Sequence, residues 1–278
     1  EAARTEDSLR KIYPFPDNDI SWVNSATESG LLTDANITSY DKLSLHAKVY
    51  KSEVTTNNWA IVLHGYRGNW SEMALPAQKS HEQGINCLIP DLRGQGESEG
   101  SFIGLGYFDR LDVLKWIEYI INLNSNAKII LYGRSMGGAT VLMTTGEKLP
   151  ENVVCAIEDC AYSNVFTEFN HVASNVLNLP FSNISMFAID GAAKRKTGAS
   201  LKEMDVTKFL AKSTTPTLFI HGSGDSFVPF AMLNTLYTAN TSIYRERLVI
   251  DGAEHAMAST VNPGLYYSTV FQFINKFI

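Results

Sequence analysis

Apolar positions along the chain fall into two regimes. Before residue 58 they alternate with polar ones, and two such runs, 21–29 and 43–51, predict antiparallel edge strands with one solvated face. Beyond it, short continuous apolar runs appear: WAIVLHG (59–65), NCLIPD (86–91), KIILYG (128–133), VVCAIED (153–159), PTLFIHG (216–222) and ERLVIDG (246–252). Rich in β-branched residues and bounded by Gly, Asp or Pro, they predict strands buried on both faces. Helix-length segments separate most of them. Residues 108–123, FDRLDVLKWIEYIINL, carry apolar side chains at 111, 114, 117, 120 and 121, and a last helix is expected over about 263–278. Strand and helix in alternation give an α/β class: a mostly parallel central sheet flanked by helices.

One interval breaks this rhythm. Residues 162–213 separate two strands by about fifty positions, where a plain crossover needs only a dozen or so. A small helical cap inserted over one edge of the sheet is expected there. The reading is one domain over 1–278, with a charged, proline-bearing N-terminal arm at 1–20.

Composition narrows the function. Of the 278 residues, 19% are charged and 45% hydrophobic, as in ordinary globular chains. The net charge of −6, with no basic run longer than KRK, argues against a nucleic-acid partner. No apolar stretch reaches the roughly 18–20 residues that span a bilayer, so no transmembrane segment is expected. The chain begins at Glu1, consistent with a removed signal or anchor and with either a cytoplasmic or an extracytoplasmic domain. The three cysteines make no disulfide framework, and Cys87 and Cys155 fall in strand-like runs that suit buried reduced thiols. Neither CxxC nor HxxxH occurs, so no metal is expected. No cofactor is called for.

The chemistry concentrates in GRSMGG, 133–138, between a strand and a helix-like segment. Ser135 fits a helix N-cap. It also fits a nucleophile elbow, G-x-S-x-G, in which Gly133 and Gly137 close the turn and hold the hydroxyl clear of the backbone. The second reading needs three more parts. A base is available in His255, on the loop after the last strand. Among the other histidines, His64 and His221 precede a strand-end glycine and suit buried imidazoles bonded to backbone. An orienting acid is available in Asp225, after the strand ending at Gly222. Asp251 and Glu254 share the histidine's own loop, and Asp159 is the fallback. Two oxyanion donors are available in the amides of Met136 and Tyr66, with Arg67 second to Tyr66. All four parts are expected at strand carboxyl ends, where open α/β sheets bind ligands.

At these residues the chain resembles the α/β-hydrolase fold superfamily: HGYRGN (64–69), DLRGQGESEG (91–100), GRSMGGAT, HGSGDSFVP and GAEH match its landmarks in order over about residues 40–278. More narrowly it is similar to bacterial serine hydrolases of the S9-like branch, which includes esterases, feruloyl and cinnamoyl esterases and peptidases. The resemblance implies a triad of Ser135, Asp225 and His255 with Tyr66 and Met136 as oxyanion donors. It implies cleavage of a small-molecule carboxylic ester with a short-chain or aromatic acyl group, through an acyl-enzyme. A peptidase or amidase acting on short peptides, an acyltransferase on the same triad, or a binding protein on a lapsed scaffold are the alternatives. The large S9 peptidases carry a propeller for which this chain has no room, and Ser135 argues against the dehalogenases and epoxide hydrolases, which place Asp at the elbow. Arg67 and Arg134 flank the expected site, where they would grip an anionic substrate group or, for Arg134, pair with a carboxylate such as Asp91 or Glu158. Phe166, Phe169, Phe181 and Phe187 would line an acyl pocket or fill the cap's own core. Oligomeric state is not legible.

Overall fold

A computed structural model describes residues 21–177 and 182–278. The arm at 1–20 and Phe181 therefore lie outside the described residues. Eight strands form one sheet: β1 (Leu32–Thr38), β2 (Ser44–Tyr50), β3 (Asn58–Leu63), β4 (Asn86–Pro90), β5 (Lys128–Arg134), β6 (Val153–Asp159), β7 (Thr217–Gly222) and β8 (Arg245–Ile250). Their spatial order is β1-β2-β4-β3-β5-β6-β7-β8. The first two pairings, β1 with β2 and β2 with β4, are antiparallel, and all others are parallel.

The described helices are α1 (Ser21–Glu28), α2 (Ala74–His81), α3 (Asp109–Leu123), α4 (Met136–Thr145), α5 (Val165–His171), α6 (Ser182–Thr197), α7 (Val206–Leu210), α8 (Ala231–Ala239), α9 (Ala258–Val261) and α10 (Pro263–Ile274). Each apolar run after residue 58 became a strand, and all but the last have both faces covered; β8, expected to be buried on both faces, is an edge strand that buries Leu248 and Ile250 and leaves Arg247 and Val249 exposed. Ile61, Leu63, Ile129 and Leu131 point into one core with Val113, Trp116 and Val141 of α3 and α4. Their neighbours Ala60, Val62, Ile130 and Tyr132 point into the other, with Tyr266, Val270 and Phe273 of α10. Period-2 alternation is hidden in such strands because both sets are apolar.

The run expected as a strand at 21–29 is helix α1 instead, and the edge strand is β1. Trp22, Val23 and Ala26 follow helical spacing and pack on the second core, with the Trp22 ring stacked 4.4 Å from Tyr50. The strand expected at 43–51 is β2, which lies one position in from the edge. In α3 the buried face keeps Ile117 and Ile120 of the apolar stripe but turns toward Asp109, Asp112, Val113 and Trp116, leaving Leu111 and Leu114 only partly buried. Charge pairing explains this: the buried Arg93 guanidinium meets Asp112 at 2.6 Å.

The cap leaves the sheet after β6 and returns at β7, and α5, α6 and α7 belong to it. An isolated antiparallel bridge between Asn164 and Asp205 joins its two ends. The Asn164 side chain accepts from the Phe166 and Thr167 amides, and Asp205 likewise caps α7. Beyond α5 the helix continues over Val172–Val176 with π winding.

Candidate active site

The GRSMGG turn joins β5 directly to α4, and its two glycines are sterically obligatory. A β-carbon on Gly133 would stand 2.1 Å from the Gly137 carbonyl oxygen, and one on Gly137 would stand 2.2 Å from that of Leu63. Only this close approach lets strand and helix meet at a single residue. That residue, Ser135, sits at φ 54°, ψ −118°, in a region L-residues rarely adopt. Its side chain makes no capping bond to the helix. The Met136 amide opens α4 and so belongs to the helix's unpaired first turn.

Three loops at the carboxyl ends of β5, β7 and β8 bring the expected side chains together. Ser135 Oγ lies 2.9 Å from His255 Nε2, and His255 Nδ1 lies 2.8 Å from Asp225 Oδ2. Asp225 Oδ1 accepts the amides of Phe227 and Val228, which fixes the carboxylate's plane. Burial by itself raises the Asp225 carboxyl, but hydrogen bonds from His221 and His255 outweigh it and hold it at about 2. An ionised carboxylate only accepts, so His255 carries its hydrogen on Nδ1 and offers Nε2 to the serine hydroxyl.

The other acids are engaged elsewhere. Asp159 accepts the Tyr266 hydroxyl at 2.8 Å, Asp251 accepts the Ser223 hydroxyl at 2.8 Å, and Glu254 is exposed. His221 donates to the Val228 carbonyl at 3.1 Å, as expected of a backbone-bonded imidazole, but it also stands 3.2 Å from Asp225 Oδ2. It is a second histidine on the same carboxylate, which the sequence reading missed.

The loop after β3 is held by His64. Its Nδ1 donates to the Gly65 carbonyl at 2.8 Å and its Nε2 accepts the Leu92 amide at 2.9 Å. Complete burial pushes this imidazole down to about 4, so it stays neutral and keeps that tautomer. Gly65 then abuts Ser135: a β-carbon there would lie 3.6 Å from Ser135 Cβ. Tyr66 follows at the cavity's edge.

A cavity of about 340 Å³ opens above Ser135, and Leu105, Tyr162, Phe169, Val172, Met186 and Phe227 line much of it. Phe169 of the cap meets the Tyr66 ring edge-on at 6.3 Å, and His171 bonds the Ser226 carbonyl at 2.9 Å. The cap is thus tied to the loops that carry Tyr66 and Asp225. Phe166 and Phe187 pack on each other at 5.8 Å and do not line the cavity. Arg134 is only 3% exposed, with Nε 3.8 Å from Asp159 and Nη2 3.5 Å from the Ser259 hydroxyl. Its carboxylate partner is Asp159, not Asp91 or Glu158. Arg67 is exposed, 5.8 Å from the Tyr66 ring centroid. With one guanidinium sealed and the other in solvent, the structure does not bring the two to one anion site.

Two carboxyls in the cavity wall went unread in the sequence, the half-buried Glu72 and the buried Glu168. Burial raises Glu72 to about 7 against the pull of Arg134. Positive φ also recurs around the site, at Arg67, Leu105, Cys160 and Ala256. Backbone strain of this kind gathers where loops are held for a purpose.

A family model described as the alpha/beta hydrolase fold matches residues 59–197. The chain is 26% identical over 222 residues to the uncharacterized protein YqkD of Bacillus subtilis, covering 80% of this chain and 72% of that one. It is 25% identical over 252 residues to human monoglyceride lipase, covering 77% and 80%. The Pyrococcus furiosus esterase PF2001 superposes with a TM-score of 0.73 at 20% identity, over 91% of this chain and 94% of that one.

Proposed function

From the premise that the chain belongs to the alpha/beta hydrolase fold family, we propose that it is a serine hydrolase that cleaves a carboxylic ester through an acyl-enzyme. The observation that carries this reading is the run of contacts from Ser135 Oγ through His255 to Asp225, at 2.9 and 2.8 Å, opening on an apolar cavity. Ser135 Oγ attacks the ester carbonyl carbon as His255 Nε2 takes its proton. The carbonyl oxygen gains the electron pair and is received by the amides of Tyr66 and Met136; losing one such donor typically costs about 3–4 kcal/mol. Collapse expels the alcohol, which leaves with the proton from Nε2. Water then attacks the acyl-enzyme, giving its proton to Nε2 and its hydroxyl to the acyl carbon, and the acid departs as Ser135 regains its hydrogen.

An apolar wall of this volume suits a short-chain or aromatic acyl group. The esterase and monoglyceride lipase among the similar proteins support an ester over an amide. Arg67 and Arg134 are assigned no substrate contact.

The test pairs fluorophosphonate labelling with a panel of p-nitrophenyl esters, methyl hydroxycinnamates and aminoacyl anilides. Labelling that Ser135→Ala abolishes, with ester turnover far above anilide turnover, is the expected result. No labelling of folded protein refutes the nucleophile. Faster anilide cleavage makes it a peptidase, and an acylated alcohol as the main product makes it a transferase.

A further inference from the structure

Glu168 lies on α5 of the cap with its backbone fixed by helix geometry: its amide donates to the Asn164 carbonyl at 3.0 Å. It is 3% exposed and lines the cavity above Ser135. Among the described residues neither of its carboxyl oxygens has a hydrogen-bond partner. Of the wall's other polar groups, the Tyr162 hydroxyl donates to the Leu105 carbonyl at 2.9 Å, Ser135 and His255 hold each other, and the Arg134 guanidinium lies 3.8 Å from Asp159. The neighbouring Phe169 packs on Tyr66 and His171 bonds Ser226, so α5 is pinned on both sides of Glu168. A buried carboxyl with both oxygens vacant, in a largely apolar wall, is a recognition group waiting for its complement.

We propose that Glu168 selects an apolar ester bearing a hydroxyl group, whose O–H and oxygen pair with the Glu168 carboxyl while the hydrocarbon fills the cavity. The inference rests on the ester-hydrolase reading and names its substrate class. Burial, with the Asp225 carboxylate close by, pushes Glu168 up to about 8. At neutral pH it therefore keeps its proton, offering one donor and one acceptor. An alcohol satisfies both. An ammonium group needs the ionised form and fits less well.

The experiment compares kcat/KM for methyl octanoate, methyl 8-hydroxyoctanoate, methyl 6-hydroxyhexanoate, 2-hydroxyethyl octanoate and methyl 8-aminooctanoate. These esters place the polar group on either side of the scissile bond. At least one hydroxylated ester is expected to exceed its unsubstituted match by about tenfold or more, since a site built for a hydroxyl rejects the analogue lacking it. Glu168→Gln, which still donates and accepts, keeps the ratio, and Glu168→Leu brings it to near one. Because the readout is a ratio within each variant, a general loss of activity cancels.

Equal rates for every hydroxylated and plain pair, a ratio that survives Glu168→Leu, or a preference for the amine overturns the proposal. Hydrolysis of p-nitrophenyl butyrate separates the two claims: turnover without a hydroxyl preference sinks only the role of Glu168. If no ester is cleaved, the Kd of Ser135→Ala protein for 1,8-octanediol against 1-octanol reads the same preference without turnover or a Glu168 variant. Equal Kd values there overturn it.

Discussion

Replacing Asp225 with Asn perturbs the proposed relay where it is most constrained. Four groups converge on this carboxylate: the Phe227 and Val228 amides on Oδ1 at 3.0 and 2.9 Å, and His255 and His221 on Oδ2 at 2.8 and 3.2 Å. An asparagine keeps its oxygen toward the two amides, which turns its NH₂ toward the imidazoles. His255 Nδ1 must then accept, so the ring's hydrogen moves to Nε2 and faces Ser135 Oγ. In that tautomer the base cannot take the hydroxyl's proton. A loss of about 10⁴ in kcat is expected, or about 5.5 kcal/mol of barrier.

The same change acts on stability. Burial raises this carboxyl, yet its histidine partners carry it from an ordinary 3.8 to about 2, which stabilises the fold by about 2 kcal/mol. Because the value is depressed, the contribution is complete above pH 4 or so and disappears as pH falls through about 2. Asp225→Asn should lose that increment at pH 7 and flatten the acid unfolding curve between about pH 4 and 2. Stopped assays on p-nitrophenyl butyrate and tryptophan fluorescence from pH 7 to 1.5 measure the two effects. A variant within tenfold of the parent in kcat, or one with unaltered acid unfolding, would refute the reasoning.

Two further outcomes follow from the geometry. Ser135→Gly abolishes ester turnover but raises the melting temperature, because glycine relieves the φ 54° backbone, a strain on the order of 1–3 kcal/mol; an unchanged or lower Tm contradicts this. Glu158 is raised by burial to about 8, so the folded chain holds its proton where the unfolded chain releases it, and stability falls as pH rises from about 4.5 to 8. Glu158→Gln keeps the Ala161 amide bond and should lessen that fall, read as urea midpoints at pH 5 and 8.

Five of the six strands after residue 58 were legible because both faces are apolar, a pattern that survives without knowledge of neighbours; the edge strand β8 was legible from its short apolar run alone. Ser135, Asp225 and His255 were legible because parallel strands deliver their end loops to one edge, so order along the chain stands in for proximity. Helix α1 was not: in residues 21–29, one short polar run fits either period until Tyr50 supplies the ring that Trp22 stacks on. Buried acids were harder still. Nothing in the local sequence marks Asp112 or Glu168 as buried, since the Arg93 that pairs with one and the cavity wall that encloses the other are assembled from distant segments. Arg134 was legible as a residue needing a carboxylate, but only the β5–β6 register places Asp159 opposite it.

The bridge between Asn164 and Asp205 pinches the cap to a narrow neck. The described segments on either side of that neck leave and rejoin the sheet at nearly one spot, so the insertion can vary in length while the two ties it makes below, Phe169 on Tyr66 and His171 on Ser226, are kept. Diversification of such a scaffold can proceed in the lobe hung from that stem, with position 168 among the first letters to rewrite.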